Sequence, residues 1–322
     1  MLGASLLLLT ALAGCDTLDR FRGARTDFSG DSALAYARAQ VDFGPRNPGS
    51  AGHDRAGDWI VAQMRARAES VQVQEWKHVT VKGDTLRMRN IFARFRPGLT
   101  QRVLYVTHWD TRPTADSDLN LGARQRPIIG ANDGASGVGL LVALADALKK
   151  SPPNVGVDLL FVDGEDYGAF ETVDWADTTK NRDVLIGSQY FAKHMPADYQ
   201  PMFGVLFDMI GDKSLNIYQE GYSVQQAPEV VTRVWAAAKD LGYGKYFIPE
   251  VSTTITDDHL PFLNKGLHVI DVIDLGYCIS GAATCEEPSP DNLHHTMGDT
   301  MERISARSLQ IVGDVALTLV TK

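Results

Sequence analysis

Cysteine is scarce in this chain, with three in 322 residues, too few for a four-thiolate metal centre. No run of about 18 apolar residues occurs, so the sequence offers no stable transmembrane helix. Clusters of lysine or arginine beyond scattered pairs are also missing, and the formal net charge is -9. The electrostatic footprint of a nucleic-acid-binding protein is therefore absent, and no nucleic acid is expected as a partner. Residues 31–322 contain no repeats and no low-complexity tract. What remains is an ordinary globular composition, 44% hydrophobic and 22% charged, long enough for one large α/β domain.

The first fifteen residues read differently. "MLGASLLLLTALAGC" is an apolar run too short to span a bilayer but suited to a signal peptide. Its end, Leu12-Ala13-Gly14-Cys15, resembles a bacterial lipobox, which makes Cys15 a lipidation site and the chain an exported, membrane-anchored lipoprotein facing the periplasm or cell exterior. Residues 16–30 read as a flexible tether. Cys278 and Cys285 lie in the Gly/Ser/Pro-rich stretch "GYCISGAATCEEPSPDN", and in an oxidising compartment two such neighbours are expected to form a loop-pinning disulfide.

From residue 31 onward, helical and strand periods alternate. Amphipathic helices are expected at residues 32–43, 53–68, 136–150, 187–195, 228–243 and 305–322. Strands are expected at 70–76, 87–95, 102–108, 155–163, 203–210 and 268–274. Such alternation predicts a single catalytic domain with a mostly parallel central sheet covered by helices on both faces. Ligands bind such sheets beyond the carboxyl ends of the strands. Polar residues that terminate apolar runs are thus the candidates for chemistry.

Four runs end that way: "VLYVTHWD" in His108 and Asp110, "LLFVDGED" in Glu165 and Asp166, "VLFDM" in Asp208, and "VIDVID" in Asp271 and Asp274. Asp133 precedes a glycine-rich turn in "GANDGASGVGLL", and "NLHHTMGDT" supplies His294, His295 and Asp299. Any one of these residues alone would satisfy a backbone group. Together they offer the imidazole and carboxylate mixture that zinc prefers.

The segments "THWDT", "GANDGASGVGLL", "DGEDYG", "GSQYFA", "LFDMIGD", "TDDHLPFLNKG" and "HHTMGDT" resemble, in order, the motifs of the M28 family of zinc peptidases over residues 31–322. "DGEDYG", "GSQYFAKH" and "FDMIG" resemble most the glutaminyl-peptide cyclotransferase branch. The resemblance implies that Asp133, Asp166 and His295 bind zinc and that Glu165 is the general acid/base. His108 and Asp208 match ligands of a second metal in dinuclear aminopeptidases, and Asp110 matches the carboxylate that orients that histidine. In the cyclase branch, Asp208 and Asp257 would contact substrate instead.

One zinc is expected on the cyclase reading and two on the aminopeptidase reading. A receptor-like relative without catalysis would have lost its ligands, and Asp133, Glu165, Asp166 and His295 are all present. Where the mammalian-type cyclase has a tryptophan before the last zinc ligand, this chain has His294, and where it has a histidine assisting Asp257, this chain has Asp271. His294, Asp271 and Trp175 are therefore candidates for the substrate pocket. The implied substrates are peptide or protein N-termini, and the implied reaction converts N-terminal glutamine to pyroglutamate with release of ammonia.

Overall fold

The computed structural model describes residues 26–168 and 183–321. In chain order the elements are α1 (Gly30–Val41), α2 (Ala51–Arg65), β1 (Ser70–Val79), β2 (Thr85–Phe95), β3 (Arg102–His108), α3 (Ala135–Lys150), β4 (Gly156–Val162) and α4 (Ile186–His194). They continue with β5 (Phe203–Asp208), β6 (Ile217–Gln219), α5 (Gly221–Gln226), α6 (Pro228–Asp240), β7 (Phe247–Val251), α7 (His259–Leu263), β8 (Val269–Ile273) and α8 (Ala306–Thr321). Six strands form the central sheet in the order β1-β2-β4-β3-β5-β8. β4, β3, β5 and β8 run parallel, and β1 and β2 join as an antiparallel edge.

The parallel strands are apolar along almost their whole length because both faces are covered. Alternation sorts their side chains. Val103, Tyr105, Leu159, Phe161, Val205 and Phe207 enter the core built with α1, α2, α3, α6 and α8. Leu104, Val106, Leu160, Leu206 and Val269 point the other way, onto Phe191 of α4 and Phe262 of α7. A sheet covered by helices on both faces is the architecture expected from the sequence.

Several features were not anticipated. The short strands β6 and β7 pair with each other outside the main sheet, and α5 and α7 are only six and five residues long. The expected tether also ends sooner than residue 30. Thr26 Oγ1 donates to Asp314 at 2.6 Å, Ser29 caps α1, and the ring of Phe28 fills the space where a Cβ on Gly313 would stand. Packing thus fixes residues 26–30 on α8. Among the described residues, no helix is long and apolar enough to cross a membrane. Cys15 and Trp175 lie outside the described residues.

Helix α3 lies close over β3 and β5, and Gly137 permits it. A Cβ there would stand 2.1 Å from Thr107 Oγ1 and 2.7 Å from the carbonyl oxygen of Phe207. In an exposed helix, Gly→Ala stabilises by roughly 0.5–1 kcal/mol. Here the sign reverses, and Gly137→Ala is expected to cost about 1–3 kcal/mol through overpacking. A denaturant midpoint equal to or above that of the parent chain would contradict this packing.

Candidate active site and metal centre

The parallel strands deliver their polar ends to one place. His108 closes β3, Asp208 closes β5, and the chain leaving β4 turns through Gly164 to Glu165 and Asp166. Asp133 sits just before α3, and His295 arrives from the loop ahead of α8. His295 Nε2 lies 3.1 Å from Asp166 Oδ1 and 3.7 Å from Asp133 Oδ2. On the other side of Asp133, His108 Nε2 lies 3.2 Å from Asp133 Oδ1 and 3.1 Å from Asp208 Oδ1. Three segments distant in sequence thus bring Asp133, Asp166 and His295 together, with His108 and Asp208 alongside.

Two further carboxylates hold the loops that carry these groups. Asp110 accepts the backbone N–H of Glu165 at 3.1 Å and of Asp166 at 3.3 Å. Asp299 accepts the N–H of Asn132 at 2.8 Å and of Asp133 at 3.1 Å, and the hydroxyl of Tyr277 at 2.7 Å. In both cases one side chain fixes two successive backbone groups, so neither loop can rotate independently of the carboxylate beneath it. Gly134 (φ 89°) and Gly164 (φ 69°) supply the left-handed turns beside these dipeptides. Asp299, like Asp274 with its acceptance of the Asn216 and Gly276 amides, serves the backbone.

The donor set fits a divalent cation. Asp133 Oδ2 and Asp166 Oδ2 are buried without a hydrogen-bond partner, a costly state for a carboxylate unless a cation satisfies it. Two carboxylates and an imidazole are the ligand types zinc takes. His108, Asp133 and Asp208 form a second group whose ligand atoms lie within 4.8 Å of one another. His108 carries a strongly raised pKa: burial opposes the proton, but Asp208, Asp110 and Asp133 outweigh it.

Glu165 is buried, and burial, reinforced by Asp257, Asp166 and Asp258, holds its carboxyl well above the ordinary range. A carboxyl whose hold on a proton is raised in this way suits a group that takes a proton in one step and gives it back in the next. It lines a cavity of about 310 Å³ together with Asp208, Asp257, Ile273, Glu287 and His294. His294 Nδ1 lies 2.8 Å from Glu287 Oε1. Burial disfavours its proton, yet the bond to Glu287 and the charges of Glu287, Asp133 and Asp166 raise its pKa to about 9.

Asp271, expected in the substrate pocket, is placed elsewhere. It lies in the interior of β8, is fully buried and does not line the cavity; both of its carboxylate oxygens are without a hydrogen-bond partner. His259, which sequence reasoning passed over, stands 3.8 Å from Asp271 Oδ2 and 3.2 Å from Glu220 Oε2. A fully buried row of ionisable groups therefore runs from the cavity wall into the core behind Asp257. Arg112 was missed as well. Its guanidinium bonds Asp166 Oδ1 at 3.0 Å and also reaches Asp116, and its one sequence signal was its place two residues after Asp110.

Cys278 and Cys285 are bonded, with Cα atoms 5.9 Å apart. Cys278 also bridges to Asn292, whose side-chain amide donates to the carbonyl of His294 at 2.8 Å. The crosslinked loop thus braces the segment that carries both histidines.

The sequence profile of peptidase family M28 matches residues 90–320. The chain is 24% identical over 305 residues to aminopeptidase YwaD of Bacillus subtilis, covering 91% of this chain but 57% of that protein. Among solved structures, a glutaminyl cyclase of Bacteroides thetaiotaomicron bound to N-acetylhistamine superposes with a TM-score of 0.82 at 36% identity, covering 92% of this chain and 98% of that one. A Zn-dependent exopeptidase of Parabacteroides distasonis superposes equally well, with a TM-score of 0.82 at 36% identity and coverage of 93% and 100%. Fold, donor set and sequence agree, and the chain belongs to peptidase family M28.

Proposed function

We propose that this protein is a zinc-dependent glutaminyl-peptide cyclotransferase, converting N-terminal glutamine to pyroglutamate. The observation that carries the reading is a buried general acid/base, Glu165, sharing one cavity with a second buried carboxyl, Asp257. In cyclisation the α-amine and the γ-amide of one residue react with each other, so a single enclosed cavity must orient both. Likeness to a glutaminyl cyclase over 98% of that chain's length also supports it.

Asp133, Asp166 and His295 would hold the ion. When bound, zinc acts as a Lewis acid towards the γ-amide carbonyl. Glu165 takes a proton from the α-amine as its nitrogen bonds to the γ-carbonyl carbon, and returns that proton to the amide nitrogen as the C–N bond breaks. Ammonia leaves, the ring stays, and no water is consumed. Asp208 and Asp257 orient amine and amide from the cavity wall. Anchored through lipid at Cys15, the exported enzyme would meet peptide and protein N-termini at a membrane surface.

A second reading, a dinuclear aminopeptidase, is favoured by one observation: His108, Asp133 and Asp208 could hold another ion. Assays with Gln-initiated and Leu-initiated peptides separate the two. Ammonia release matched by loss of free N-terminal amine on Gln peptides is expected. Free leucine, two tightly held zincs per chain and no ammonia would establish the aminopeptidase instead.

A further inference from the structure

Consecutive residues of extended chain send their side chains to opposite sides. His294 and His295 do not. His295 adopts φ 54°, a left-handed conformation that costs a non-glycine residue about 1–3 kcal/mol and persists only where the surroundings impose it. As a result both rings face the same way, with centroids 3.6 Å apart. An imidazole nitrogen of His294 lies within 4.8 Å of a carboxylate oxygen of Asp133 and a ring nitrogen of His295.

The other side of the ring is already held. Nδ1 lies 2.8 Å from Glu287 Oε1, and the second oxygen of Glu287 accepts from Ser117 Oγ at 3.3 Å. The backbone of His294 is tied on both sides by Asn292, which accepts from its N–H at 3.1 Å and donates to its carbonyl at 2.8 Å. A carboxylate bonded to one nitrogen of an imidazole whose ring stands within reach of other metal-type donors is the arrangement by which proteins orient metal-binding histidines.

We infer that His294 is a further protein ligand of the metal held by Asp133, Asp166 and His295, presenting Nε2 while Glu287 fixes Nδ1. This chain would then complete a four-donor shell where the mammalian-type cyclase carries a tryptophan. The inference rests on the metal site itself but not on which reaction that site performs. Four protein donors fill a tetrahedral zinc shell. Substrate would therefore have to displace His294 or expand the coordination, and the Glu287–His294 pair becomes a movable element of the site.

The test measures metal binding without turnover. Zinc affinity is read by chelator competition on the parent chain and on His294→Ala, Glu287→Gln and His295→Ala, each checked for native circular dichroism. Cobalt(II) substitution then reports coordination through the visible absorption of the bound ion. His294→Ala is expected to weaken zinc by about 100-fold and to change the cobalt spectrum, and Glu287→Gln, which removes only the charge behind the ring, by about 10-fold. Unchanged affinity and an unchanged spectrum in His294→Ala, with affinity lost in His295→Ala, would overturn this inference alone. Unchanged affinity in His295→Ala would remove the metal site and this inference with it.

Discussion

Glu165→Gln is expected to lower kcat by about 100-fold or more, the usual scale for loss of a positioned acid/base, while leaving fold and metal content intact. The substitution preserves shape and removes only the capacity to carry the proton. Its backbone stays where Asp110 holds it, because that bond uses the N–H of residue 165 and not its side chain. Asp166 keeps both its backbone bond to Asp110 and its ion pair with Arg112. Steady-state kinetics on a Gln-initiated peptide, with metal analysis of the same preparation, checks both halves. Turnover within a few-fold of the parent enzyme would exclude Glu165 from proton transfer.

Arg46→Ala is expected to be the most destabilising single change, at about 3–5 kcal/mol, the scale for removing one partner from a buried charge network. Arg46 is fully buried. Its guanidinium donates to the carbonyls of Ile129 at 2.8 Å, Gly130 at 2.6 Å and Trp109 at 3.3 Å. Burial lowers its pKa to about 10 against the pull of Asp299, Asp133 and Asp110, so it is a full cation at neutral pH. Truncation would take the guanidinium donor from the carbonyls of Trp109 and Ile129, leave that of Gly130 with only the Ala135 amide, and leave those carboxylates without the positive charge behind them. A urea or guanidinium titration reads the loss. A deficit below about 1 kcal/mol would mean that water replaces the guanidinium at little cost.

Six strands and six longer helices were legible because each has a clear period and defined ends. Glu165, Asp166, His108 and Asp208 were legible because a polar residue ending an apolar run can be seen in one dimension. What the sequence hid is contact between segments. Arg46 stands alone in "GPRNPG", and only the fold reveals that it spans the backs of two loops. His259 was hidden because the five-residue helix that carries it is too short to show a period. Asp271 was misjudged for a different reason. It was placed in the pocket by resemblance, at the position where the mammalian-type cyclase has a histidine assisting Asp257, but in the middle of β8 (Val269–Ile273) it is fully buried beside His259.

Asp110 and Asp299 each hold a ligand-bearing loop by accepting two successive backbone amides. Neither needs an ion to keep its partners, since both sets of bonds run from protein to protein. The stripped enzyme should accordingly hold a finished cradle, with Asp133 and Asp166 already aimed. Metal uptake then becomes exchange into a rigid seat, and different divalent ions can be compared in one unchanged scaffold.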